Sequence, residues 1–136
     1  GIGGRLDTIQ AAILLAKLPH FSKELKDRQK VADQYTSGLS NILQTPVIKP
    51  NRSSAWAQYT LRVKNRDNLQ LKLKENSIPT SIFYPIPLHL QQCFQYLDYK
   101  QNDFPISEKA SNEVISIPMN PFLSDDQIDY IVLKIQ

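Results

Sequence analysis

Apolar residues recur at helical spacing from the start of the chain. Leu6, Ile9 and Ile13, then Leu14 and Leu18, fall on one side of a 3.6-residue repeat. Asp7 stands where it can cap the first amides, and Gln10 follows three residues on, in capping-box spacing. Pro19 punctuates the run and either kinks one long helix or occupies the first turn of a second. The helical pattern resumes through Phe21, Leu25, Ala32, Tyr35 and Leu39, and is expected to fade near Ser40 because Gly38 and Asn41 weaken it. Residues 44–56 carry Pro46, Pro50, Asn51, Ser53 and Ser54 and read as a loop, with a short extended piece at Val47 and Ile48. Alternation then predicts a strand over 56–63, with Ala57, Tyr59, Leu61 and Val63 on one side.

Residues 65–76 return to helical spacing through Leu69 and Leu73, and 78–84 form a second expected strand with Pro79 near its start. Pro85 and Pro87 force a rigid extended segment. A short helix is expected over 90–97, a polar loop over 98–104, a helix over 105–114 and a short strand over 114–117 that Pro118 ends. Ser124-Asp125-Asp126-Gln127 is a capping box for a last helix, whose inner stripe is Ile128, Ile131, Val132 and Ile135. The sum is an α+β fold: three or four mostly antiparallel strands covered by helices, after a long opening helix. Residues 1–40 read as the opening helical region and 41–136 as a small α+β domain, with no internal repeat.

Composition narrows the class. The chain has 136 residues, 41% of them hydrophobic and 21% charged, ordinary usage for one globular domain and against wholesale disorder. The longest apolar run, 11–16, falls far short of the roughly 20 residues that cross a bilayer, and no leader precedes it, so neither membrane nor signal peptide is expected. The chain opens on Gly1 with no Met and reads as a piece of a larger protein. Cys93 is the single cysteine, which excludes a disulfide framework; it is expected as a small core residue with no neighbouring cation to activate it. Net charge is +3, but Lys17, Lys23, Lys26, Arg28 and Lys30 are interspersed with Glu24, Asp27 and Asp33, a solvated helix face and no nucleic-acid patch.

Candidate chemistry is sparse. Two histidines give no Ser-His-acid set and no metal cluster. Arg5, beside glycines at a helix start, can grip a carboxylate or phosphate in a bidentate fork, or can simply be exposed. His89 follows the Pro-x-Pro segment, as a donor aimed at a ligand or as an exposed loop residue. Tyr84 ends a strand, its hydroxyl in a cleft or its ring in the core. Trp56 is expected in the core. These residues describe a cleft and no reaction.

Five blocks, in order, carry a resemblance. Gly1 to Leu14 (GIGGRLDTIQAAIL) resembles the G-x-N-x-R-L-D-x-x-Q-A-A segment of the DegT/DnrJ/StrS aminotransferases. AQYTLRV at 57–63 is similar to a strand of the family's small domain, and TSIFYPIPLHLQ at 80–91 to its T-x-x-x-Y-P-x-P-L-H-x-Q signature. FPISEKA at 104–110 and ISIPMNP at 115–121 are similar to its F-P-x-S-E and S-L-P-M-x-P blocks. The resemblance spans essentially the whole chain.

That resemblance implies a pyridoxal-phosphate enzyme of the aspartate-aminotransferase architecture (fold type I), cytoplasmic and homodimeric, with active sites at the subunit interface. Such enzymes move an amino group, usually from glutamate, to a nucleotide-linked keto sugar; the flavour here is of UDP-linked 2-acetamido sugars or sugar acids for surface polysaccharide. The chain corresponds to the C-terminal small domain plus the helix leading into it. The Schiff-base lysine, which the chemistry requires, is implied upstream, so this segment alone is expected to be inactive. Exposed apolar surface is then expected on the first helix. Gly3 stands at the family Asn that reaches the partner's cofactor phosphate, and only its backbone amide can substitute. Arg5, Tyr84 and His89 match substrate-binding positions. Two alternatives stay open: a pyridoxamine-phosphate-dependent dehydratase of the same fold, and a non-catalytic regulatory or interaction module, which Gly3 favours.

Overall fold

A computed structural model describes residues 4–136 of the chain. The cofactor contact expected of Gly3 lies outside the described residues. The Asp7 side chain accepts the Ile9 amide at 2.8 Å and opens α1 (Thr8–Leu39), a 32-residue helix. Pro19 lies inside it without ending it, so the long-helix alternative is the one the chain adopts. Only the last third of α1 is packed: Val31, Ala32, Tyr35 and Leu39 are buried. Its first half stands clear of the domain, with Ile9, Ile13, Leu14, Leu15, Leu18 and Phe21 exposed.

Among the described residues the sheet has two paired strands, β1 (Tyr59–Arg62) and β2 (Val114–Ile117), antiparallel in the register Tyr59↔Ile117 to Arg62↔Val114. This corrects the expected three or four strands. The outer positions are single bridges only, Gln44 beside Arg62 and Ser81 beside Ser116. The reasons are local. The Ile78 amide is spent on the Leu73 carbonyl at the end of α2 (Arg66–Glu75), Pro79 has no amide to donate, and beyond Ser81 the chain leaves for the Pro-x-Pro segment. Pro46 and Pro50 flank Val47 and Ile48, which form no strand. β1 begins at Tyr59, not at 56, because Trp56 has a positive φ of 47° that turns the chain off the sheet. Trp56 is nonetheless buried; its indole donates to Gln29 Oε1 (2.7 Å) and its carbonyl accepts from Arg28 (3.0 Å), which ties the loop to α1.

The expected helix at 90–97 is instead two 3-10 turns, Leu88–Leu90 and Gln92–Leu97, broken at Gln91, which is extended (ψ 143°). The second turn buries no side chain, and Cys93 on it is exposed; the core position expected for it is corrected accordingly. α3 (Pro105–Glu113) begins on Pro105 at its first position and runs straight into β2. α4 (Asp125–Ile135) opens on the reciprocal capping box of Ser124 and Gln127.

One face of the sheet carries Tyr59, Leu61, Ile115 and Ile117 into a core closed by α1, α4 and Leu73 of α2. Tyr35 and Tyr59 lie 5.1 Å apart at its centre; the Tyr35 hydroxyl donates to the Pro118 carbonyl, and Thr36 meets the Tyr59 hydroxyl at 2.7 Å. Burial pushes both phenols above their ordinary value. Gly38 lets α4 come close: a Cβ there would stand 2.7 Å from Val132 Cγ1. At the start of α4, hydrogen bonds from Gln34 and Lys30 hold the Asp125 carboxyl below the usual range. Among the described residues no helix is long and apolar enough to cross a membrane.

Candidate functional site

The opposite face of the sheet floors a cleft of about 300 Å³. Thr60 and Ser116 form a cross-strand pair there, hydroxyl to hydroxyl at 2.8 Å. The Ser116 backbone points the other way and exchanges both hydrogen bonds with Ser81 (2.8 and 3.0 Å). Ser107, Ala110 and Ser111 of α3 form one wall; Gln58, Phe83, Tyr84 and Pro87 form the rim. Among the described residues, no charged side chain and no histidine lines it. Such a lining offers hydroxyl and amide hydrogen bonds and an aromatic edge. It offers nothing to pair with a phosphate or carboxylate.

The wall and floor meet at Arg66, which is nearly buried although it opens a surface helix. Its Nη1 donates to the carbonyls of Ser111 and Val114, both at 3.2 Å, where α3 passes into β2. These carbonyls lie in the last turn of a helix and on the side of β2 away from β1, where neither has a ladder partner. Nothing in the helical spacing of 65–76 singled out Arg66.

The rim is a seven-residue strap, 82–88, held at both ends. Ser81 pairs with Ser116 at one end. At the other, His89 is 9% exposed, its ring 4.8 Å from Phe104 and its Nε2 3.1 Å from Glu108 Oε1. The same carboxylate oxygen accepts the amides of Asn102 (2.8 Å) and Phe104 (3.3 Å). A carboxylate has no proton to give, so His89 Nε2 donates. Between these anchors Tyr84 is 69% exposed at the cleft mouth.

Of the positions expected to bind substrate, the structure therefore brings Tyr84 to the cleft. His89 is turned away from it, toward α3. Arg5 is exposed, before the first turn of α1. At 1.5 Å per residue, α1 carries its first residue about 35 Å along the axis from Val31, the first that the core buries. Arg5 and Tyr84 do not share this cleft.

All 136 residues match the DegT/DnrJ/EryC1/StrS aminotransferase family. The chain belongs to that family. It is 44% identical to a UDP-2-acetamido-2-deoxy-3-oxo-D-glucuronate aminotransferase of Pseudomonas aeruginosa, over 96% of this chain and 36% of that protein. It is 42% identical to a pleiotropic regulatory protein of Geobacillus stearothermophilus, over 99% of this chain and 37% of that one. A solved family aminotransferase from Brucella abortus superposes with a TM-score of 0.90 at 39% identity, covering 99% of this chain and 36% of its own. The chain thus spans little more than a third of the relatives it matches, and its fold is the small-domain portion of theirs.

Family aminotransferases use pyridoxal phosphate. The cleft does not fit that group. It has no lysine to join it, no carboxylate for a pyridine nitrogen and no cation for a phosphate. No step through the cofactor is assigned to these residues. Among the described residues there is also no group of three His, Cys, Asp or Glu that could hold a metal ion.

Proposed function

We propose that this chain is the C-terminal part of a pyridoxal-phosphate-dependent aminotransferase that moves an amino group from glutamate to a nucleotide-linked keto sugar for surface polysaccharide. The enzyme is cytoplasmic and homodimeric. The observation that carries this reading is the 44% identity, across nearly the whole chain, to a relative named for a UDP-linked keto sugar acid. The cleft supports it. A charge-free lining of hydroxyls under an aromatic rim suits the hydroxyl-bearing ring of a sugar, and leaves any sugar carboxylate, the pyrophosphate and the cofactor to residues elsewhere.

In this reading Tyr84 presents its ring and hydroxyl to the sugar. Arg5 holds an anionic group of substrate or donor at a second site, which the long α1 reaches. The exposed apolar stripe Leu6, Ile9, Ile13, Leu14, Leu18 and Phe21 is the surface that the large domain and partner subunit cover. Gly3 offers a backbone amide to the partner's cofactor phosphate. The segment alone is inactive, because its cleft has no amine to bind the cofactor.

The test is the absorption spectrum of the whole subunit purified with pyridoxal phosphate, before and after glutamate. A bound-cofactor band that shifts with glutamate supports an aminotransferase; a band that glutamate leaves unchanged points to the dehydratase. The relative named a pleiotropic regulatory protein favours a second, regulatory reading. Failure to bind the cofactor at all would select it.

A further inference from the structure

Glu108 stands at a junction that the substrate reading does not yet explain. It sits in the first turn of α3, and its neighbour Ser107 lines the cleft. Its own side chain points away from the cleft yet is only 13% exposed. One oxygen gathers three donors from two separate stretches: the His89 ring at the end of the strap, and the Asn102 and Phe104 amides. Asn102 has a positive φ of 78° and Asp98 one of 59°, so the loop between them turns back sharply to deliver those amides. Phe104 then covers the His89 ring and is itself met edge-on by Tyr99 at 5.0 Å.

This arrangement is more than a helix cap. The strap carries Phe83, Tyr84, Ile86 and Leu88, all exposed, and so gains little from burial. Its course depends on its ends and on Pro85 and Pro87, which stiffen it. The Ser81 end is fixed to the cleft floor by β pairing. The His89 end is fixed by Glu108 to the helix that forms the cleft wall. Wall, floor and strap are therefore one frame, and Tyr84 sits at its free span.

We propose that Glu108 is a positioning residue for the sugar substrate: through His89 it sets the strap so that Tyr84 stands at the cleft mouth. The proposal rests on the reading of the protein as a sugar aminotransferase. Neither Glu108 nor His89 touches substrate in it; both act through Tyr84.

The experiment is a double-mutant cycle in the whole aminotransferase subunit, using Glu108→Ala and Tyr84→Ala, with the sugar and glutamate half-reactions followed separately. With Tyr84 in place, Glu108→Ala is expected to raise KM for the nucleotide sugar about 10-fold. In the Tyr84→Ala background the rise is expected to be less than about 2-fold, a coupling of residues that do not touch. The glutamate half-reaction is expected to be unchanged. Glu108→Gln keeps a carbonyl oxygen for the three donors and is expected to recover most of the loss. Equal losses in both backgrounds, or a matching loss with glutamate, would overturn the proposal. Should Glu108→Ala fail to fold, His89→Ala, which removes the donor to Glu108, takes its place in the same cycle. Limited proteolysis separates the two readings. Faster cleavage within 82–88 in Glu108→Ala sustains the clamp even where no sugar is aminated, whereas unchanged cleavage refutes it.

Discussion

Arg66→Met is the sharpest test of how the cleft is held together. The guanidinium is nearly buried and donates to two carbonyls, Ser111 and Val114, at the joint between wall and floor. Methionine keeps the apolar stem and removes every donor. Both bonds are long, at 3.2 Å, so each is taken at the lower end of the range for charged donors; stranding two acceptors then costs roughly 2–3 kcal/mol. That is a large part of a total stability of roughly 5–15 kcal/mol. It corresponds to a fall in Tm of roughly 10 °C for a domain of this size. Urea unfolding followed through Trp56, the single tryptophan of the chain, measures it directly. Arg66→Lys is expected to cost less than Arg66→Met, since an ammonium still reaches one carbonyl but cannot fork between two. Asp67→Asn is the control. The Asp67 side chain is largely exposed, and its loss is expected to cost about 0.5 kcal/mol or less. An Arg66→Met stability within about 0.5 kcal/mol of the parent, or an Asp67→Asn cost as large as that of Arg66→Met, would refute this role for Arg66.

Gly38→Ala gains up to about 1 kcal/mol of helix propensity but drives a Cβ to 2.7 Å from the stiff Val132 side chain, so a net loss of about 1 kcal/mol is expected. Denaturant titration should also show that Val132→Ala costs less in that background than alone. Tyr35 and Tyr59 predict alkaline loss of stability. Both phenols are raised in the folded state, so above about pH 10 the unfolded chain loses protons that the folded one keeps, and stability falls by up to about 1.4 kcal/mol per pH unit for each tyrosine. Unfolding curves between pH 9 and 11 should show this slope, and Tyr35→Phe should flatten it.

The elements legible in the sequence were those whose signals are local. The Ser124 capping box, the helical stretch from 105 and the Pro118 stop after 114–117 each act within a few residues, and α4, α3 and β2 lie where those signals put them. The exposed stripe on α1 was legible for the same reason, since its period needs no partner to be seen. What misled were residues whose backbone is set from a distance. Trp56 fits an alternating pattern, yet its φ of 47° is held by Gln29 and Arg28 of a helix far back in the chain. The segment 78–84 has strand composition, but its first amide is taken by α2 and its second residue has none. At the site, Tyr84, His89 and the FPISE block were all visible as motifs. That His89 would meet Glu108 of that block, nineteen residues on, depends on the turn between Asp98 and Asn102, which no local pattern announces.

On the proposed reading, the length of α1 makes one last prediction about how the whole protein is assembled. Arg5 and Tyr84 both match positions expected to bind substrate, yet Arg5 stands at the end of a helix whose first residue lies about 35 Å from the core, and Tyr84 rims a cleft on the sheet face opposite that helix. One subunit cannot bring both to one molecule of substrate unless α1 folds back, and it runs as one unbroken helix from Thr8 to Leu39. In a symmetric dimer the economical arrangement is exchange: each subunit supplies Tyr84 to its own site and Arg5 to its partner's. Variants Arg5→Ala and Tyr84→Ala should each be impaired alone. Coexpressed and purified as the mixed dimer, they should recover close to half of the parent's activity, because one site collects both defects and the other neither. If both residues served the same subunit's site, every site in the mixed dimer would carry one defect and no recovery would appear. A mixed dimer no more active than the two single-variant homodimers would therefore refute the exchange and return Arg5 to the helix surface as an exposed side chain.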